Sequence, residues 1–166
     1  MLTEDGADIS VLECVAWAVE RTGVVDPSAG AWIAPIIEGN WNQGGDEIAR
    51  RVRGKFTGTG EMWQAAMTVE GKRLGDVKAA ELLVNNALTQ WYRLRDETRA
   101  ARYAISNPHF VAQFSAIKDR GTCRGAKDID GKFFALNRRP TLPLDGCDKG
   151  HCRCMWVFGQ KEWLDR

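Results

Sequence analysis

Residues 76–105, "DVKAAELLVNNALTQWYRLRDETRAARYAI", contain neither glycine nor proline. Within them Val77, Ala80, Val84, Ala87, Trp91, Leu94, Thr98 and Ala101 recur at alternating steps of three and four. That spacing returns to one face of an α-helix. The stretch predicts one amphipathic helix of about 28 residues, about 40 Å long at a rise of ~1.5 Å per residue. A chain that commits so much length to one rod must pack shorter elements along it, so the helix is expected to be a spine. "SNP" at 106–108 stops it.

Upstream the grammar is helical. Residues 8–22 predict a helix with Asp8 as cap, Val11, Leu12, Val15 and Val19 on one face, and Gly23 as its end. "AWIAPIIEGNW" predicts a short apolar helix with Pro35 near its start. After "NQGG", "DEIARRVRGKF" restarts a helix with Asp46 as cap and Ile48, Val52 and Phe56 at spacing four. After "TGTG", residues 61–70 form a weaker helix with Met62, Ala66 and Val69 on one side.

Beyond Pro108 the period changes. Phe110, Ala112, Phe114 and Ala116 alternate at period two, as in a half-buried strand. Asp130-Gly131 followed by Phe133, Phe134 and Leu136 is a hairpin signal, and "MWVF" at 155–158 is a third short strand. The expected fold is α+β: a helical N-terminal two-thirds (8–105) and a small Cys-rich antiparallel sheet (108–160), within one domain of 166 residues.

The net charge of +1 provides no global field to draw in nucleic acid or a membrane, so any basic surface must be local. The N-terminal "MLTEDGADIS" has no basic region followed by an apolar run, and no stretch reaches the ~18 apolar residues of a membrane span. The expectation is a cytosolic protein with no membrane partner and with reduced cysteines.

Four of the five cysteines fall in the predicted sheet region: Cys123 in "RGTCRG", then Cys147, Cys152 and Cys154 in "LPLDGCDKGHCRC". Cys14, on the first helix, reads as a small buried hydrophobe. Zinc takes four thiolate or imidazole ligands. Cys123, Cys147, Cys152 and Cys154 would close such a site across neighbouring turns, with His151 able to replace any one of them. A closed site is structural rather than catalytic. The alternatives are metal-free buried thiols and, last, a disulfide.

The ordered series "DRGTC", "DGKFF", "PTLP" and "HCRC" resembles the C-terminal region of the Mu F-like phage head morphogenesis proteins, also called minor head or minor capsid proteins. Upstream, "IIEGNWNQGGDEIARRVRGKF" is similar to that family's glycine-spaced helical segment, so the likeness spans about residues 33–158. Ala126 stands where the family often carries its second cysteine, leaving Cys147 as the candidate for that thiol. "HCRC" also lacks the family's residues between His and Cys. The resemblance implies a non-enzymatic virion-assembly protein of a phage or prophage. It would bind portal or capsid proteins, work in the host cytoplasm during assembly and have a place in the virion.

The residues also admit other chemistry. Arg50, Arg51 and Arg53, with Lys55, cluster on one helix, and Arg95, Arg99 and Arg102, with Arg93, line the later part of the long one. Either set could meet DNA through phosphates. The competing reading is a solvated helix face paired with Glu47, Asp96 and Glu97. A Cys–His dyad from His151 with Cys152 or Cys154 would diverge along an extended backbone, and no catalytic residue is assigned. Asp119, Asp128 and Asp130 with Lys132 would suit a nuclease-like toxin or effector, although Asp130-Gly131 is also turn chemistry. A phage accessory protein that inhibits a host protein is the remaining alternative. Among seven tryptophans, Trp163 in the terminal "KEWLDR" is the one expected to stay exposed.

Overall fold

The computed structural model describes residues 9–54, 58–117, 119 and 122–165. It is α+β, with a long helix and a small three-stranded antiparallel sheet near the C-terminus. The chain divides into two compact units, Asp8–Trp91 and Tyr92–Arg166. The division falls inside the long helix rather than at its end.

In the first unit, α1 (Val11–Thr22) is capped by Ser10, whose Oγ accepts from the Glu13 N–H at 3.2 Å. Asp8, the expected cap, lies outside the described residues. Gly23 closes the helix at φ 60, a conformation only glycine adopts cheaply. Val11, Val15 and Val19 are buried as the spacing requires, whereas Leu12 faces solvent. A 3-10 turn (Pro27–Ala29) leads into α2 (Gly30–Gly39), which carries Pro35 in its interior and buries Ile33 and Ile37.

α3 (Gly45–Val52) is capped by Gly44, and Asp46 sits in its first turn rather than at the cap. It buries Ile48 and Val52; Phe56 lies outside the described residues. The weak helix expected over 61–70 is two helices, α4 (Gly60–Ala66) and α5 (Val69–Leu74). They part where Met67 bridges Val25 and Thr68 caps α5 with its hydroxyl. Trp63 is the buried residue of α4, while Met62 and Val69 are exposed. Within α5, a Cβ on Gly71 would stand 2.1 Å from the Val24 carbonyl oxygen, so the close approach there demands glycine.

α6 (Asp76–Ser106) is a single helix of 31 residues. In its first half Ala80, Val84, Ala87 and Trp91 are buried as expected, joined by Ala79 and Leu83, although Val77 is largely exposed. In its second half the buried residues are Arg93 and Ala100, seven apart on one face, and Ala101 is exposed. The stripe predicted as 91–94–98–101 therefore shifts to a neighbouring face beyond Trp91. At the helix start, Asp76 accepts from Arg53 at 3.0 Å, from Gln64 Nε2 at 3.0 Å and from the Trp63 indole, joining α3, α4 and α6.

The second unit holds β1 (Phe110–Ser115), β2 (Phe133–Ala135) and β3 (Met155–Gln160), in the order β2-β1-β3. The connection from β1 to β2 contains a short helix, α7 (Arg124–Ile129), so it is not a two-residue hairpin. Gly131, at φ 77, still provides the turn into β2. One face of the sheet carries Ala112, Phe114, Phe134, Trp156 and Phe158. Trp156 packs edge-on against Phe114 at 5.2 Å and Phe134 at 5.4 Å. The core cluster adds Cys123, Ala126, Cys152 and Cys154 to these rings. A last short helix, α8 (Lys161–Leu164), leaves Trp163 63% exposed, as expected.

Candidate metal centre

Three loops bring the four thiols together. Cys123 is the residue before α7, at its N-cap position, and is buried there. Cys147 follows a turn whose Leu144 carbonyl accepts the Cys147 N–H at 3.0 Å, and it is half-buried. Cys152 and Cys154 are buried in the strand-like approach to β3. All four line one cavity of about 10 Å³, together with Ile117, Thr122, Lys149 and Arg153. None is in a disulfide.

The sulfur environments differ. Burial pushes the Cys154 thiol up to about 12, helped by the neighbouring Cys152 and Cys123. Burial also raises Cys147, and Cys152 and Cys123 add to the rise, while the Lys149 N–H opposes it. Cys152 feels the same burial, but the Cys154 N–H and the Arg93 guanidinium outweigh it and hold its thiol below the ordinary value. Two sulfurs, those of Cys147 and Cys152, thus each accept the backbone N–H of the residue two further on. Such bonds stabilise a thiolate in a turn and are the outer support that metal-ligating thiolates need.

Arg93 is the residue that reading the sequence misplaced. It is not part of a solvent-facing basic row: it is 8% exposed and turned inward. Its Nη2 donates to the Cys152 carbonyl at 2.7 Å and to the Cys154 carbonyl at 2.9 Å, and its Nε donates to the latter at 3.2 Å. One guanidinium therefore fixes the backbone of both cysteines and places a positive charge beside their sulfurs. The only sequence signal for this was Ala100, seven residues on, which marks the same helix face as buried.

His151 does not line the thiol cavity. Burial, then the charges of Arg93 and Arg153, lower its pKa. The cysteines alone form the shared cluster. Among the described residues no group of three or more His, Cys, Asp or Glu side chains is placed so that it could hold a metal ion. The four thiols surround a common space that is large enough for about one small sphere.

The arginines read as DNA-facing divide between the units. In the first, Arg50 and Arg51 pair with Glu47 at 3.5 and 3.2 Å, and Arg53 with Asp76 at 3.0 Å. Lys55 lies outside the described residues. In the second, Arg95 pairs with Asp96 at 2.8 Å, and Arg102 is exposed. The acidic residues of the nuclease-like reading are partly engaged. Asp119 accepts two bonds from Arg153 Nη2, both at 2.6 Å, and Asp130 accepts the Ala116 N–H at 2.9 Å. Both line a recess of about 400 Å³ that Asp128 does not reach.

No protein-family model, curated protein or solved structure matches the chain. Among the described residues no helix is long and apolar enough to cross a membrane.

Proposed function

We propose that the protein is a non-enzymatic assembly protein of a phage or prophage head, whose Tyr92–Arg166 unit is a zinc-pinned binding module. The observation that supports this reading is the gathering of Cys123, Cys147, Cys152 and Cys154 around one small cavity. Cys123, Cys152 and Cys154 belong to the series that resembles minor head proteins, and Cys147 is the candidate for the thiol it lacks. Four thiolates complete the usual shell of a structural zinc ion and leave no position for a substrate. Bound there, zinc would crosslink the approach to α7, the 147 turn and the start of β3. The two amide-supported sulfurs and the Arg93 charge fit a dianionic four-thiolate site. The portal or capsid protein of the same phage would be the partner, and any contact with DNA would run through phosphates.

Two measurements test the reading. Protein purified without chelator should carry about one equivalent of zinc per chain, and it should co-sediment with procapsid or portal components of its own phage. Turnover on nucleic acid is not expected. Magnesium-dependent cleavage of DNA or RNA that disappears in Asp130→Ala would replace this reading with the nuclease-like effector. Stable capture of a host protein, without procapsid binding, would favour the inhibitor.

A further inference from the structure

The net charge of +1 hides an uneven division. Residues 92–166 carry ten arginines and five lysines against seven aspartates and two glutamates, a formal charge of +6. Residues 8–91 carry eight cationic and eleven acidic side chains, a formal charge of −3. The second unit therefore has its own positive field, which favours a polyanionic partner. Its segment of α6 gathers part of that charge. Tyr92, Arg95, Arg99, Arg102 and Tyr103 follow one another at steps of three, four, three and one. Those steps keep all five within about 100° around the helix. Arg93 and Ala100, buried, lie on the neighbouring flank. Tyr92 and Tyr103 are 44% and 64% exposed, Arg102 is exposed, and Arg95 and Arg99 are partly so.

A recess of about 390 Å³ adjoins this stripe, within the ~300–1,000 Å³ of pockets that seat a small organic group. Its lining includes Arg99 and Tyr103 of the stripe, then Phe110, Met155 and Val157, with Asp96 beside them. The Tyr103 and Phe110 rings lie 6.3 Å apart at an interplanar angle of 32°. The Asp96 carboxylate disfavours a phosphate inside the recess, whereas the rings and the methionine suit a flat, uncharged group. Arg99 belongs to both features, so the cationic stripe and the aromatic recess meet at one side chain. Arg95 lies over the Tyr92 ring at 4.9 Å and pairs with Asp96 at 2.8 Å. A surface pair of that kind contributes little, so exchanging it for a phosphate costs little.

Spaced cations beside a slot for a flat ring match a strand that carries phosphates outside and bases it can turn aside. A duplex keeps its bases paired and cannot fill the slot. We infer that the second unit binds single-stranded nucleic acid. Phosphates sit on Arg95, Arg99 and Arg102, and one base enters the recess against Tyr103 and Phe110. Single-strand sites combine a positive track for the backbone with aromatic side chains on which bases stack. The inference deepens the phosphate contact proposed above; it uses neither the thiols nor the phage assignment.

The test uses the full chain and a fluorescein-labelled oligothymidine of about ten nucleotides, within the ~4–16 that single-strand sites cover. Fluorescence anisotropy should show saturable binding at about 50 mM salt, and three phosphate contacts should lower log affinity by about 2 per tenfold rise in salt. A GC-rich duplex of the same length should bind at least tenfold more weakly. Tyr103→Ala should weaken binding about tenfold, for one stacked base, while leaving the salt slope and the melting temperature unchanged. Tyr103→Phe should bind like its parent. Arg102→Gln should reduce the slope by about 0.7, for one phosphate. No binding at 50 mM salt, equal affinity for the duplex, or parental binding by Tyr103→Ala overturns the inference. Polyglutamate that competes as well as unlabelled oligothymidine also overturns it, in favour of an acidic protein partner. Protein that carries no zinc or misses the procapsid, yet binds the oligonucleotide, leaves it standing; procapsid binding without oligonucleotide binding sinks it alone.

Discussion

The two units bury different kinds of matter. The Asp8–Trp91 unit is filled with hydrocarbon: Val15, Ile33, Ile37, Ile48, Val52, Leu83 and Val84 are fully buried, with Trp63 among them. Among the described residues, the buried side chains of the Tyr92–Arg166 unit are three alanines, one phenylalanine, one tryptophan, three cysteines, a threonine and an inward arginine. Apolar burial contributes about 25 cal/mol per Å² whatever the solvent's metal, redox poise or moderate pH. Thiols do not share that indifference. The comparison teaches that one unit is held mainly by hydrocarbon packing, with one buried thiol in it, whereas the other buries three thiols among few apolar side chains, so its stability is expected to follow the state of its sulfurs.

Removing one sulfur should have the largest effect. Cys152→Ser is expected to abolish zinc binding and with it the dispersed amide spectrum of residues 107–160, while spectra of α1 to α5 persist. For structural zinc, binding free energy is largely folding free energy. Elemental analysis and an amide correlation spectrum check it together. A variant that is metal-free, like its parent, and equally ordered would break the comparison at its root.

The counterpart in the first unit is Trp63→Ala. Loss of a fully buried tryptophan should cost about 3–5 kcal/mol, and the Asp76 carboxylate also loses its indole donor. The comparison predicts the same cost in chelator as in zinc buffer, measured by denaturant unfolding followed at α1 to α5. A chelator-dependent cost would mean that the hydrocarbon core and the thiol cluster do not hold their folds separately.

These cases also show what was legible in the sequence. The helical first unit could be read because hydrocarbon burial leaves a periodic trace: Ile48 and Val52, or Val11, Val15 and Val19, announce a face. The errors there were local. Ser10 caps α1 because its hydroxyl reaches the Glu13 N–H, and Thr68 splits a helix that periodicity alone ran together. The cysteine grouping was legible from residue type, since four thiols in a short region have few other uses. The choice among five candidate ligands was not. It depends on loop geometry: the four cysteines line the cavity, and His151 is not among its lining residues. Arg93 was illegible for a different reason. A buried arginine is justified only by the carbonyls it meets, and those lie about 60 residues away in sequence.

Arg93 sharpens the contrast at intermediate cost. Arg93→Met keeps much of the stem but removes the donors to the Cys152 and Cys154 carbonyls. Bonds to a charged group contribute about 1.5–3 kcal/mol each, less than additively when one group makes several. A loss of about 3 kcal/mol is expected in the second unit, with zinc affinity falling about tenfold or more. Arg93→Lys should restore part of the zinc affinity through its charge, yet little of the stability, because one ammonium cannot span both carbonyls. Equal behaviour of the methionine and lysine variants would reduce Arg93 to a spacer.

The smallest effect belongs to a thiol in the hydrocarbon unit. Cys14 is buried on α1, and that burial, with Glu13 beside it, pushes its pKa from 9.0 up to about 11. A thiol raised in the folded state favours the neutral form there. Its contribution is complete below the unfolded value near 9 and is lost as pH climbs toward 11. Two pKa units correspond to about 2–3 kcal/mol, so the first unit should weaken by about 2 kcal/mol between pH 9 and pH 11. Cys14→Ala should cost about 1 kcal/mol at neutral pH, for one lost sulfur, and should flatten that alkaline decline. In the second unit bound zinc, as proposed, would reverse the sign: ligation requires thiolates, so the loaded module should tolerate the pH range in which the metal-free module loses stability because its buried Cys147 and Cys154 thiols stay neutral while those of the unfolded chain ionise. Unfolding curves at pH 8, 9, 10 and 11, with zinc and with chelator, would separate the two behaviours. An alkaline decline that survives Cys14→Ala would locate the sensitive group elsewhere in the first unit.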